Sequence, residues 1–198
     1  MTNRTPSRAG RKATDPVPAE FAVLGMIAAT PEGEIHGYDL SRAFADSALG
    51  KIIRIEPGML YHYLKKLARN GSITTRVEQQ QGRPDRQVHA LTPEGRSSLM
   101  AWLAEPVTST REIRLDFLVK LYLSDRLDPA RRAQLVQDQK QVMQQRAERL
   151  QAQVDDPQPN DPDNAFGDMV LRLRLSQTRA AVEWLDSIPA SIFETTPS

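Results

Sequence analysis

The chain has 198 residues, 26% of them charged and 39% hydrophobic, and it contains no cysteine. That is the composition of a globular protein long enough to bury a core, and it excludes disulfides, thiolate metal sites and a cysteine nucleophile. The formal net charge of +1 conceals a segregation. Residues 1–16 hold four Lys/Arg against one Asp (+3), residues 17–104 ten against nine (+1), and residues 105–198 twelve against fifteen (−3). The longest uncharged apolar run, residues 21–29, has nine residues, whereas a bilayer span takes about 20. With a polar rather than signal-like N-terminus, neither export nor a membrane partner is expected.

In chain order, residues 1–17 are rich in Thr, Ser, Arg, Gly and Pro and read as a disordered basic tail. After Pro18, Phe21, Leu24, Ile27 and Ala28 recur at helical spacing until Pro31 and Gly33 interrupt it. His36-Gly37-Tyr38 opens a second helical pattern with Leu40, Ala43, Phe44 and Ala48 on one side, closing near Gly50. Pro57 stands at a first helical position, and the stripe Leu60, Leu64, Leu67 runs to a stop at Asn70-Gly71.

On a wheel of 100° per residue this third helix has its leucines within about 40° of one another. Gly58, His62, Lys65 and Arg69 fall near the opposite pole, flanked by Met59, Tyr61 and Lys66. An ordinary solvated face mixes both signs of charge. This one carries cations and aromatics with no carboxylate, which suits an anionic partner.

Residues 72–78 are rich in β-branched side chains and residues 86–91 form a weaker second strand, so a β-hairpin follows the three helices. Its turn, residues 79–85, carries Arg83. Thr92-Pro93-Glu94 reads as an N-cap and first turn, and Leu99, Trp102 and Leu103 continue a fourth helix that ends at Glu105-Pro106.

No further strand is expected. Residues 111–124 carry Ile113, Phe117, Leu118, Leu121 and Tyr122 at helical spacing, and residues 129–154 place Val136, Met143 and Leu150 at intervals of seven, with Leu135 and Val142 beside them. Residues 155–164 read as a loop. A last helix over residues 166–188 has Phe166, Val170, Leu173, Ala180 and Trp184 on one face and Leu171, Leu175, Val182 and Leu185 off it. Apolar residues on two faces imply packing on two sides, one against the same chain and one against a second subunit. The residues expected at that seam are Val136, Met143, Leu150, Leu173 and Trp184. For each of them singly, an intrachain bundle core is an equally good explanation.

Taken together, the segments His36-Gly37-Tyr38-Asp39-Leu40, Pro57-Gly58-Met59-Leu60-Tyr61, Leu64-Lys65-Lys66-Leu67, Gly71-Ser72-Ile73, Gly82-Arg83-Pro84 and Leu91-Thr92-Pro93-Glu94-Gly95-Arg96 resemble the PadR family of winged-helix transcriptional regulators. The resemblance spans residues 19–103 and extends more loosely over residues 110–188, similar to the subfamily with a long helical C-terminal region. It implies a mainly α fold with a small β-hairpin wing: a winged helix-turn-helix over residues 18–105 and a helical dimerisation region over residues 106–198. Met59, His62, His89 and Ser72 depart from residues common in the family, at readout and wing-support positions.

The resemblance further implies double-stranded DNA as partner, a homodimer, and often a small aromatic or amphipathic effector that releases a repressor, in the cytoplasm at the nucleoid. In a winged helix-turn-helix the third helix enters the major groove. Lys65, Lys66 and Arg69 are then the phosphate contacts, and Gly58, Met59, Tyr61 and His62 lie near enough to the helix start to meet phosphates or base edges. Tyr38 and Ser41 on the second helix and Arg83 and Arg86 on the wing complete the expected DNA-binding set. A two-fold dimer places its recognition helices about 34 Å apart, on a pseudo-palindromic operator. Trp102, Phe117 and Tyr122 are weaker candidates for an effector pocket, since aromatics at helical spacing are ordinarily core.

His36, His62 and His89 have no metal-ligand spacing, and neither a nucleophile elbow nor a phosphate-binding glycine loop is present. No metal, cofactor or enzymatic activity is expected. The competing reading is a winged-helix module that binds another protein without sequence-specific DNA recognition.

Overall fold

A computed structural model describes residues 17–79, 85–156 and 164–189. Helix α1 (Pro18–Ala28) starts with Pro at its first turn and is apolar almost all round; the structure encloses it, with Phe21, Ala22, Val23, Leu24 and Ile27 all buried. A short strand β1 (Glu34–His36) leads into α2 (Gly37–Asp46), the single turn α3 (Leu49–Ile52) and α4 (Pro57–Arg69). The hairpin strands β2 (Ile73–Glu78) and β3 (Arg86–Leu91) follow, then α5 (Pro93–Ala104).

The sheet has the order β1-β3-β2, both pairings antiparallel, with Ile35 opposite His89 and Thr75 opposite His89 on the other side. Strand β1 was not expected. Three residues are too few to display alternation, and only pairing with β3 makes them a strand. Thr92 caps α5 by accepting the Gly95 amide at 3.0 Å. A Cβ at Gly95 would overlap the Ser72 carbonyl, so glycine is what lets α5 lie against the root of the wing.

The expected single helix over residues 111–124 is instead three-part: α6 (Thr110–Glu112), closed by a Ser109/Glu112 capping box, a π-helical turn (Ile113–Phe117), and α7 (Leu118–Leu127). The π turn inserts a residue and rotates the apolar stripe. Ile113 and Phe117 thereby join one core with Val107, Leu135, Val136, Met143 and Leu185, while Val119 and Leu123 join another with Phe21, Leu24, Leu60, Leu99 and Trp102. Leu123 seats against Gly25 of α1, where a Cβ would collide with its methyls.

Helices α8 (Pro129–Asp155) and α9 (Asn164–Asp186) pack along each other. Val136, Met143 and Leu150 are buried within the chain, which corrects their expected place at a dimer seam: the α8 stripe is consumed by its neighbours in the same bundle. On α9 it is Leu175, Thr178 and Leu185 that turn inward. Leu173 and Trp184 face outward, with Phe166 and Met169. Among the described residues no helix is long and apolar enough to cross a membrane, and no group of His, Asp or Glu could hold a metal ion.

Candidate nucleic-acid interface

Leu60, Leu64 and Leu67 seat α4 in the first core, which forces the rest of its circumference outward. Gly58, Met59, Tyr61, His62, Lys65 and Arg69 are all exposed. Helix α4 carries no carboxylate, and Glu56, the residue before it, is paired with Arg54 at 3.0 Å. A Cβ at Gly58 would meet nothing, so that corner of the helix start is open to close approach.

Helix α2 presents its N-terminus beside this face. Tyr38, at 72% exposure, stands out from the first turn of α2, and Ser41 lies half-buried one turn on. Gly37 permits the approach, because a Cβ there would lie 3.1 Å from the Tyr61 ring. A concavity of about 510 Å³ lies between these elements and the wing, lined in part by Tyr38, Asp39, Tyr61, Asp85, Arg86 and Gln87. Exposed aromatic rings, free cations and helix-terminal amides on one side of the molecule are the groups that phosphate and base-edge contacts require.

The wing is held from within. Arg76 bridges Glu34 at 2.5 Å and Glu78 at 2.6 Å, tying β1 to β2, and the two carboxylates raise its pKa further, the Glu34 hydrogen bond foremost. His36 lies 3.6 Å from the other Glu78 oxygen. His89 is buried in β3 with Nδ1 3.0 Å from the Thr75 hydroxyl, while its Nε2 has no partner. Burial, and secondarily the neighbouring His36, push its pKa below the ordinary histidine value. His36 and His89 are thus neighbours across β1 and β3, while His62 stands apart on the outer face of α4.

The PadR-like transcriptional regulator family matches residues 23–101, the stretch from the middle of α1 through α4 and the wing into α5. Over that stretch this chain is similar to that family. A second family, the C-terminal region of virulence activator alpha, matches residues 113–191 of this PadR-like chain. The negative transcriptional regulator PadR of Bacillus subtilis is 29% identical over 181 residues, covering 87% of this chain and 96% of its own. A probable transcriptional regulator of Mycobacterium tuberculosis is 28% identical over 171 residues, 80% of this chain and 90% of that one. Among solved structures, Bacillus subtilis PadR in complex with operator DNA is 27% identical and covers 88% of this chain and 98% of its own, with a TM-score of 0.43. The likeness to the family rests on the sequence matches.

Within this PadR-like chain, the expected contact residues are not equivalent. Lys66 points away from the open face and binds Glu20 of α1 at 2.6 Å; the carboxylate is fully buried and the lysine 20% exposed. That correction has a plain cause: Lys66 lies between the outer pole and the leucine stripe, so its stem follows the core edge. Arg83 lies outside the described residues, as do residues 1–16 of the expected tail, whereas Arg86 is exposed at the start of β3.

The three effector candidates do not share a pocket. Trp102 stacks on Phe21 at 4.5 Å in the first core, Phe117 is buried in the second, and Tyr122 carries Arg126 over its ring at 3.7 Å. The larger apolar concavity, about 690 Å³, lies elsewhere, between the π turn and α9, where Trp184, Arg111, Arg114 and Gln177 line it. Sequence reasoning missed Arg111 and Arg114, since nothing in their spacing distinguishes them from a solvated face.

Proposed function

We propose that this PadR-like chain is a sequence-specific DNA-binding regulator that acts in the cytoplasm as a homodimeric repressor on a pseudo-palindromic operator. The observation that carries the reading is the outward face of α4, which offers Met59, Tyr61, His62, Lys65 and Arg69 and no carboxylate. A helix of about 10–12 Å diameter fits the major groove, and a one-signed face on it matches a polyanion. Lys65 and Arg69 neutralise phosphates. Met59, Tyr61 and His62 face base edges near the helix start, and Tyr38, Ser41 and Arg86 hold the flanking backbone. Lys66 belongs to the fold rather than to this contact set.

Residues 18–105 form the DNA-binding unit and residues 106–198 the dimerisation unit in this reading. The support for a dimer is α9, which leaves Phe166, Met169 and Leu173 more than half exposed along one side and Trp184 at 38%. An apolar row of this length is what a second copy covers in a two-fold interface. Repression follows the negative regulator of Bacillus subtilis to which the chain is related. A small aromatic effector finds an aromatic wall and two guanidinium groups in the concavity of Trp184, Arg111 and Arg114.

Selection of duplexes from a random pool by the full-length protein, at a salt concentration of about 150 mM, tests the reading. Enrichment of a two-fold motif with half-sites about one turn, roughly 34 Å, apart is the expected result. Weak, salt-sensitive binding without an enriched motif would instead favour a winged-helix module that binds protein.

A further inference from the structure

The segment that joins α5 to α6, residues 105–109, is held by side chains from the helices beyond it. Gln139 of α8 is fully buried and grips Val107 at both ends: its Oε1 accepts the Val107 amide at 2.7 Å, and its Nε2 donates to the Val107 carbonyl at 2.9 Å. Lys120 of α7, itself buried, donates to the Glu105 carbonyl while its Nζ lies 4.6 Å from the centre of the Trp102 ring. Arg146, two turns beyond Gln139, donates to the Thr108 carbonyl at 3.2 Å.

Gln139 interrupts the apolar stripe of α8 between Val136 and Met143. Burying an amide is costly unless both its ends are bonded. Here both are, and to the backbone of a connecting segment, so the cost of the polar residue is offset by a fixed geometry.

The mechanical consequence follows from lengths. Helix α8 has 27 residues and begins after Asp128, beside Leu127 at the winged-helix core; taken from Asp128 as pivot, it is a lever about 40 Å long. A swing of about 10° at that pivot would move the far end by about 7 Å, roughly two base-pair steps of DNA. Gln139 lies about 15 Å along the lever and Arg146 about 26 Å, where each strap opposes such a swing.

We infer that Gln139 is a positioning residue whose clamp on Val107 fixes the α8–α9 pair against the winged helix and so sets the half-site spacing that the dimer accepts. The spacing consequence rests on the two-fold reading above; the clamp itself does not.

The test therefore has two arms. Because the chain lacks cysteine, Asn70→Cys with Glu148→Cys provides two nitroxide sites, one at the end of α4 and one on α8. Pulsed dipolar spectroscopy on labelled protein diluted with unlabelled protein then gives their distance distribution. Gln139→Leu, which keeps the bulk and removes both bonds, is expected to widen it at least twofold. Where that variant does not fold, Arg146→Met is the substitute, with a smaller widening in the same direction.

In the second arm, duplexes carry the half-site enriched from the random pool at separations stepped by one base pair. Wild-type binding is expected to fall tenfold or more two steps from its optimum, and Gln139→Leu to reduce that fall to threefold or less, with single half-site affinity within twofold of wild type. An unchanged distance distribution, or an unchanged spacing profile beside a widened distribution, overturns the inference. A wild-type protein without a spacing optimum overturns the two-fold reading and its spacing consequence, a failure the first arm separates from failure of the clamp.

Discussion

From α1 to α5 the leucines, Phe21, Phe44 and Trp102 go inside, and the outward side of α4 is left to cations, Met59, Tyr61, His62 and a glycine. From α6 to α9 the arrangement is partly inverted: Lys120, Ser124, Arg132, Gln139 and Thr178 are buried, and Phe166, Met169 and Leu173 are out in solvent. The difference concerns partners. An apolar core that turns one cationic helix face outward suits a soluble polyanion, whereas an apolar surface stiffened by buried polar straps suits a second protein surface held at a fixed angle. Polar groups inside the first region are few, chiefly Glu20 and His89; Glu20 braces α4 through Lys66, and His89 meets Thr75 within the wing.

The comparison is most strongly tested by two glycines. Gly95→Ala, which forces a methyl onto the backbone carbonyl of Ser72, is expected to cost about 3 kcal/mol in urea unfolding, because backbone yields little. Gly25→Ala meets the methyls and Cγ of the Leu123 side chain rather than backbone, at the contact that docks α7 on α1, and should cost less, about 1 kcal/mol. Equal losses would show that the α1–α7 join is as rigid as the wing root.

Next in size is Leu173→Glu, placed at a position 56% exposed. It should leave thermal stability of the isolated protomer unchanged and weaken self-association by about 2 kcal/mol, some thirtyfold, in sedimentation equilibrium.

Glu20→Gln breaks the pair with Lys66 and is expected to lower stability by about 2 kcal/mol, less than for a wholly buried pair because the lysine reaches water. The loss should shrink when Lys66→Met is added, since the uncompensated charge is then removed as well.

Lys65 and Lys66 should separate in DNA titrations. Lys65→Ala is expected to reduce the slope of log affinity against log salt by about one and leave stability within about 0.5 kcal/mol. Lys66→Ala should do the reverse, and a loss of slope there would return Lys66 to the contact set.

The smallest effect concerns pH. Since burial keeps the folded pKa of His89 below its ordinary value, the unfolded chain takes up the proton first as pH falls. Stability from this group is whole above about pH 6.5 and declines as pH falls through the folded pKa. Melting temperatures recorded from pH 7.5 to 5 should show a shallow fall that His89→Phe abolishes.

Much of the first region was legible because periodicity and punctuation agree there. Pro18, Pro57 and Pro93 each stand at the start of a helix, and the leucine stripe of α4 alone determines which residues face out. The pairing of Lys66 was not legible, although a lone carboxylate in an otherwise apolar helix, Glu20 in α1, is a signal that a buried cation must come from somewhere. In the second region, stripes at intervals of seven say that α8 has a buried side, and they do not say whose surface covers it. The structure covers Val136, Met143 and Leu150 with this chain, leaves Leu173 more than half exposed, and sets Trp184 edge-on to Phe117 with part of its ring in solvent.

By itself the sequence determined the order of the longer helices, the hairpin, the buried face of α4 and hence its basic outer face, because these follow from local spacing and capping. Tertiary structure alone decided that β1 is a strand, that a π turn divides one helix between two cores, that Lys66 serves the fold, and that Gln139 grips Val107. Each of those depends on residues far apart in the chain meeting in space, and a one-dimensional pattern carries no record of which distant group satisfies a buried polar atom or an unpaired strand edge.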